Sequence, residues 1–85
     1  MLHVLSITEP YADAIIEGRK NFEVRLNDRG YNAGDKIQFK VTYTDGCAFS
    51  SHPLNRKFYE ISYVHSGLGM DPRYVAFGIK ETGQP

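Results

Sequence analysis

From Lys36 to Tyr43 the chain alternates without a break. Ile37, Phe39, Val41 and Tyr43 are apolar or aromatic, and Lys36, Gln38, Lys40 and Thr42 are polar. A period of two is the mark of a strand with one face on a core and the other toward water. The same reading extends to four more segments. Leu2–Ile7 is mostly apolar and reads as a strand buried on both faces. Asn21–Leu26 alternates, with Phe22, Val24 and Leu26 on one side. Phe58–His65 sets Tyr59, Ile61 and Tyr63 on one face, and Tyr74–Lys80 sets Val75, Phe77 and Ile79 on one face. Turn residues separate them: Asn27-Asp28-Arg29-Gly30, Asn32-Ala33-Gly34-Asp35 and the glycine-rich Ser66–Pro72.

One helix fits between the first two strands, over Pro10–Glu17. Thr8 is its N-cap, and Glu9 suits the positive end of the helix dipole. Tyr11, Ala12, Ala14, Ile15 and Ile16 form its apolar stripe, and Gly18 supplies the left-handed stop. So short a helix melts unless it packs on a sheet. Strand, helix and four further strands cannot make a doubly wound sheet. They imply an α+β, mainly β fold: a small, partly open barrel of about five strands with one short helix after the first. At 85 residues the chain is read as one domain, 1–85. The expected core is Phe22, Val24, Ile37, Phe39, Val41, Ile61, Val75, Phe77 and Ile79. Thr44–Lys57 reads as a long functional or mobile loop, and Glu81–Pro85 as a fraying end.

Charge narrows the function. Ten basic and ten acidic residues cancel, so no global field steers the chain to nucleic acid or membrane, and polyanion binding needs a local patch. The single Cys47 rules out an internal disulfide and fits a reducing cytoplasm. No apolar run approaches the ~20 residues of a membrane helix, and the N-terminus lacks a signal-peptide pattern. A cytoplasmic monomer without a membrane partner is the expectation.

The local patch is Gly18–Arg29. On the strand face opposite Phe22 and Val24 stand Glu23 and Arg25, with Lys20 before them and Asp28 and Arg29 after. This is either a solvated strand face with weak ion pairs or the wall of a ligand cleft. In the second case Arg25 offers a fork to phosphate or carboxylate. Tyr31 and Tyr74, in or beside loops, are either half-wet rim residues or platforms for a base. Other chemistry is less well supplied. His3, His52, His65 and Cys47 have no paired ligand spacing, so no metal and no catalytic thiol is expected. Gly67-Leu68-Gly69 lacks the Lys-Ser/Thr of a phosphate loop, so no nucleotide cofactor site is read there.

Gly18-Arg19-Lys20-Asn21-Phe22-Glu23-Val24-Arg25 resembles the Gly-x-Lys-x-x-Glu-x-Arg signature of ASCH domains, placed after a short helix. Gly18, Lys20, Glu23 and Arg25 match it. The chain is similar in particular to an ASCH-like family of small bacterial and phage proteins. Phe22–Arg29, Gly34-Asp35, Gly67-Leu68 and Tyr74-Val75 carry that likeness over nearly the whole length. The resemblance implies a PUA-like barrel and RNA or nucleotide binding in a cleft beside the helix, through Lys20, Glu23, Arg25, Asp28, Arg29 and Tyr74. Some ASCH proteins are amidohydrolases of acylated cytidine with Lys-x-x-Thr. Here the sequence is Lys20-Asn21-Phe22-Glu23, so Glu23 replaces the hydroxyl nucleophile. A non-catalytic binding module is therefore the first expectation. A small hydrolase of modified nucleosides, with Lys20 and Glu23 as acid and base, is the second. A phage or host accessory protein acting through protein contacts is the third.

Overall fold

Five strands and one helix are found in the computed structural model, which describes residues 1–83. In chain order they are β1 (Leu2–Thr8), α1 (Glu9–Ile16), β2 (Phe22–Leu26), β3 (Lys36–Thr42), β4 (Phe58–His65) and β5 (Tyr74–Thr82), with a 3₁₀ turn at Pro53–Arg56 before β4. They form one curled sheet in the order β1-β3-β4-β5-β2. β1 and β3 are parallel, and every other pairing is antiparallel. The sheet is a half-barrel: β1 and β2 are its two edges and do not pair with each other. Curling turns these edges toward one another, and the unclosed seam between them positions the site.

The core lies inside the curl. Leu5, Ile7, Ile37, Phe39, Val41, Tyr59, Ile61, Val75, Phe77 and Ile79 come from the sheet, Ala12 and Ile15 from α1, and Leu54 from the 3₁₀ turn. Most of the expected core is here, but Phe22 and Val24 are not: they are 47% and 50% exposed. The register with β5 explains the reversal. Glu23 lies opposite Phe77 and Arg25 opposite Val75, whereas Phe22, Val24 and Leu26 lie opposite Gly78, Ala76 and Tyr74. Directly opposed residues share a face. Phe77 and Val75 point into the core, so Glu23 and Arg25 must point inward and the apolar trio outward. β1 departs from expectation for a related reason. As an edge strand it buries only one face, His3, Leu5 and Ile7, and exposes Leu2, Val4 and Ser6.

Two strands shift face or length. β4 bulges between Ile61 and Tyr63. The extra residue turns Tyr63 outward and lets Val64 pack on the core instead. Gly78 lies opposite the bulge, where a Cβ would come within 2.8 Å of the Ser62 Oγ and that hydroxyl would have to turn away. β3 ends one residue early, and Tyr43 leaves the core face to stack on Phe49 at 4.2 Å. At the other end of the chain Glu81 and Thr82 do not fray. They pair with Tyr59 and Phe58, while Gln84 and Pro85 lie outside the described residues.

α1 starts one residue before the expected Pro10 and ends at Ile16. Gly18 follows with φ of 78°, the left-handed turn foreseen for it. Tyr11 leaves the apolar stripe and is exposed. The 44–57 connection is anchored rather than loose. Leu54 is fully buried, the Asn55 side chain accepts from the Val41 N–H, and the Nδ2 of Asn55 donates to the Phe49 carbonyl. His52, itself buried, joins Asp13 of α1 at 2.8 Å and accepts from the Leu54 N–H. At the start of β1 the buried His3 joins Asp35 at 2.8 Å and packs on Tyr31. His52 thus holds the long connection to α1, and His3 holds the turn before β3 to β1. Among the described residues no group of three His, Cys, Asp or Glu could hold a metal ion, and no helix is long and apolar enough to cross a membrane.

Two stability outcomes follow from this packing. Phe39→Ala empties a fully buried site and should cost about 3–5 kcal/mol by urea denaturation; Phe22→Ala, on the outer face, should cost far less. Burial works to raise the Asp35 carboxyl, but hydrogen bonds from His3 and the Asn32 N–H prevail and hold it below its ordinary 3.8. A depressed carboxylate contributes stability above the unfolded value and loses it as pH falls through the folded one. Asp35→Asn should therefore be destabilised at neutral pH. Its deficit against the unchanged protein should shrink below about pH 4 in denaturation curves taken across the acid range.

Candidate functional site

The strand–turn chemistry of Gly18–Arg29 brings three ionisable side chains to one point. Gly18 ends α1, and the next residues carry Lys20 back over the sheet edge. β2 then delivers Glu23 and Arg25 on its inward face. Glu23 is only 4% exposed, and a carboxylate so placed must be paired to stay charged. Its two oxygens are divided between two cations. Lys20 Nζ donates to Oε1, and Arg25 Nε donates to Oε2 at 2.8 Å. Two positive charges against one negative leave the group with a surplus positive charge.

Arg25 also reaches across the seam. Its Nη2 donates to the Ser6 carbonyl of β1 at 2.8 Å. Arg29, after β2, does the same more loosely, with Nη1 at 3.4 Å from the Val4 carbonyl. These carbonyls are on the free edge of β1, since its other edge is paired to β3. A strand turns the N–H and C=O of one residue to the same side, so the N–H groups of Val4 and Ser6 also look into the seam. On β2, Asn21 and Asn27 bond toward β5, which leaves the backbone groups of Phe22, Val24 and Leu26 toward the seam. Guanidinium groups thus stand where a sixth strand would otherwise close the barrel.

Between the edges lies an open cleft of about 580 Å³. Ser6, Ile7 and Thr8 form one wall, Phe22–Arg25 the other, and Tyr11 and Lys20 one end. Lys20 Nζ sits 5.6 Å from the Tyr11 ring centre and 5.3 Å from that of Phe22, a cation–π contact with each. The site therefore has a charged floor, two exposed aromatic rings above it, and backbone donors and acceptors along one side. Such a mixture can hold a planar polar group together with an anion.

The sequence-predicted residues separate here. Lys20, Glu23 and Arg25 converge on the cleft. Arg29 flanks it from the seam but does not line it. Asp28 is exposed and pairs with Arg29 at 3.4 Å. Tyr74 is on the outer face of the sheet, beside Leu26 and under the Arg73 guanidinium. Tyr31, considered as a base platform, is a core residue stacked between His3 and Phe77. Burial raises its hydroxyl above the ordinary value, against the opposing pull of the nearby Arg29. Missing from the sequence reading are Ser6, Thr8 and Tyr11. Tyr11 looked like part of the helix stripe, and its position in the first turn is the one hint that it overhangs the strand before it. Ser6 and Thr8 carry no signal of their own, because their role comes from the unpaired edge of β1.

The clamp on Glu23 should be cooperative. Lys20→Ala or Arg25→Ala leaves the carboxylate one cation, and the double variant leaves it none. Urea denaturation at neutral pH should show the double loss exceeding the sum of the single ones by about 0.5–3 kcal/mol. Simple additivity would mean that the two cations do not share the charge.

Comparison with known proteins adds three findings. No curated protein matches the sequence. The solved structure described as "Crystal structure of hypothetical protein PH0355" is similar with a TM-score of 0.65 at 16% identity, over 96% of this chain and 100% of that one. At that identity the likeness speaks for the fold. The family model described as "Domain of unknown function (DUF3850)" matches residues 2–79, which takes in β1, α1, the clamp and all but the last three residues of β5: the chain belongs to this family.

Proposed function

We propose that the chain is an RNA- or nucleotide-binding module of ASCH-like, PUA-like type, with its ligand in the seam between β1 and β2. The observation that carries this reading is the surplus positive charge of Lys20 and Arg25 around the buried Glu23, at the floor of an open cleft with aromatic rings at its mouth. Glu23 orients the Arg25 fork while the guanidinium keeps Nη1 without a protein acceptor among the described residues. A phosphate meeting it would gain a charge-assisted bond stronger than the neutral Ser6 carbonyl provides. Tyr11 and Phe22 offer ring faces to a base, and the free groups of the β1 edge offer bonds to its rim.

The second reading, hydrolysis of a modified nucleoside, draws on the direct contact of Lys20 with Glu23, a proton donor and acceptor side by side in the same cleft. Incubation with a panel of acylated nucleosides separates the two. Turnover that disappears in Lys20→Ala belongs to the hydrolase.

Binding through this small patch should be weak and only mildly sensitive to salt. If two or three phosphates are neutralised, the slope of log affinity against log salt should be about −1.4 to −2.1 for single-stranded RNA. Arg25→Ala should weaken binding by roughly 1–3 kcal/mol. Lys57 is a poor control, since it lines a second hollow shared with Lys20. Lys80, which faces Glu60 on the outer sheet, is the better one, and Lys80→Ala should change affinity little in this seam. Fluorescence titration with short RNAs at two salt concentrations reads all three quantities. Equal losses in both variants would reduce the interaction to nonspecific charge.

A further inference from the structure

β1 and β2 face each other across the seam without pairing. No Cα of one lies within 8 Å of a Cα of the other, whereas paired strands are ~4.8 Å apart. Yet one side chain crosses the gap, Arg25 reaching the Ser6 carbonyl. A strand seated between two others holds them about 9.6 Å apart, twice the spacing of a single pair. The seam is thus wider than a pairing, narrow enough for one arginine to bridge, and suited to one strand.

Both banks are built to be paired. The N–H and C=O groups of Val4 and Ser6 look into the gap from β1, and those of Phe22, Val24 and Leu26 from β2. Edge strands are commonly protected by lysine, proline or a bulge. β1 and β2 have none of these. Instead, Leu2 and Val4 on one bank and Phe22, Val24 and Leu26 on the other are each 44–50% exposed on the outer face. The charges lie on the inner side, where Lys20 and Arg25 surround Glu23 with one positive charge in excess.

Each of these features sets a property of the occupant. Free donors and acceptors on both banks match a backbone that carries donors and acceptors along both of its own edges, as an extended peptide does. Alternation then sends every second side chain outward, between the apolar rows of Val4 and Val24, where cross-strand neighbours favour another apolar residue. The remaining side chains point inward over the clamp. A carboxylate there offers Arg25 a charge-assisted bond in place of the neutral Ser6 carbonyl, and that carbonyl is released to accept a peptide N–H.

We propose that the seam accepts an extended peptide of a partner protein as the sixth strand of the barrel, with apolar residues outward and an aspartate or glutamate inward on Arg25. This goes beyond the nucleotide reading and does not depend on it. Strand and nucleotide both need Arg25, so each excludes the other.

The test uses fluorescein-labelled heptapeptides, the length of β1, in which Val, Ile, Leu or Phe alternates with Glu or Thr. They are titrated against the full chain by anisotropy, with AMP as competitor. Peptides with a central Glu should bind. Exchange of that Glu for Gln should weaken binding about 10-fold or more in the unchanged protein and change little in Arg25→Ala. Replacing one peptide N–H by an ester oxygen should weaken binding about 2- to 10-fold at each of two adjacent positions, because neighbouring N–H groups of a central strand point to opposite banks. Loss at alternate positions only means addition to one edge without filling the seam, and loss at neither means that the backbone is not read; either overturns the proposal. Failure of every peptide while AMP binds overturns the strand and leaves the nucleotide reading standing. Peptide binding without AMP binding supports the strand and removes the nucleotide. Sedimentation showing a dimer that the peptides dissociate places a second copy's strand in the seam, and the proposal falls.

Discussion

The carboxylate of Glu23, held between Lys20 and Arg25, ties together what the backbone leaves apart. The sheet has two unpaired edges, and an open seam in a small half-barrel is a weak point. Arg25 spans it with one guanidinium, bonded to Glu23 on β2 and to the Ser6 carbonyl on β1. A buried carboxylate is expensive unless both of its oxygens are met, and here each has a cation. The clamp therefore stabilises the position of β2 and at the same time concentrates charge at the seam that the sheet leaves unclosed.

Everything that gives the cleft its character descends from that unfinished closure. A sixth strand between β1 and β2 would satisfy the edge carbonyls with backbone N–H groups and fill the space. Without it, the edges of β1 and β2 remain free to bond, and side chains supply the partners. Lys20 and Arg25 meet both oxygens of Glu23, so a buried carboxylate is tolerated on a face that would otherwise be core. The apolar residues of β2 are then displaced to the outside, where three of them lie beside Tyr74 and Tyr63. The charged inner cleft and the apolar outer face are thus two consequences of one register between β2 and β5.

Elsewhere the fold relies on pairs distant in sequence. His3 with Asp35 and His52 with Asp13 join segments 32 and 39 residues apart. Each histidine is buried and each aspartate lies nearer the surface, so the ring is held within the fold while the carboxylate stays partly exposed. Leu54 and Asn55 act similarly on the long connection before β4. A segment that looks like a loose loop by composition is seated by one apolar side chain and two amide bonds.

The sequence by itself determined the elements and their kind. The strict alternation of Lys36–Thr42, the stop at Gly18 and the turn clusters are local properties, set by backbone sterics and by which neighbours share a face. It also determined that Glu23 and Arg25 share a face and that Lys20 is near them. Which face turned inward was decided only by tertiary structure. Alternation separates two sets of residues but does not say which set meets the core, and in β2 the pairing with Val75 and Phe77 overrode hydrophobicity. The exposure of Tyr63 depended likewise on a bulge opposite Gly78, and the burial of Tyr31 on contacts with His3 and Phe77. The cleft walls at Ser6 and Thr8 exist because β1 pairs on one side only, a fact of strand order that depends on residues far along the chain.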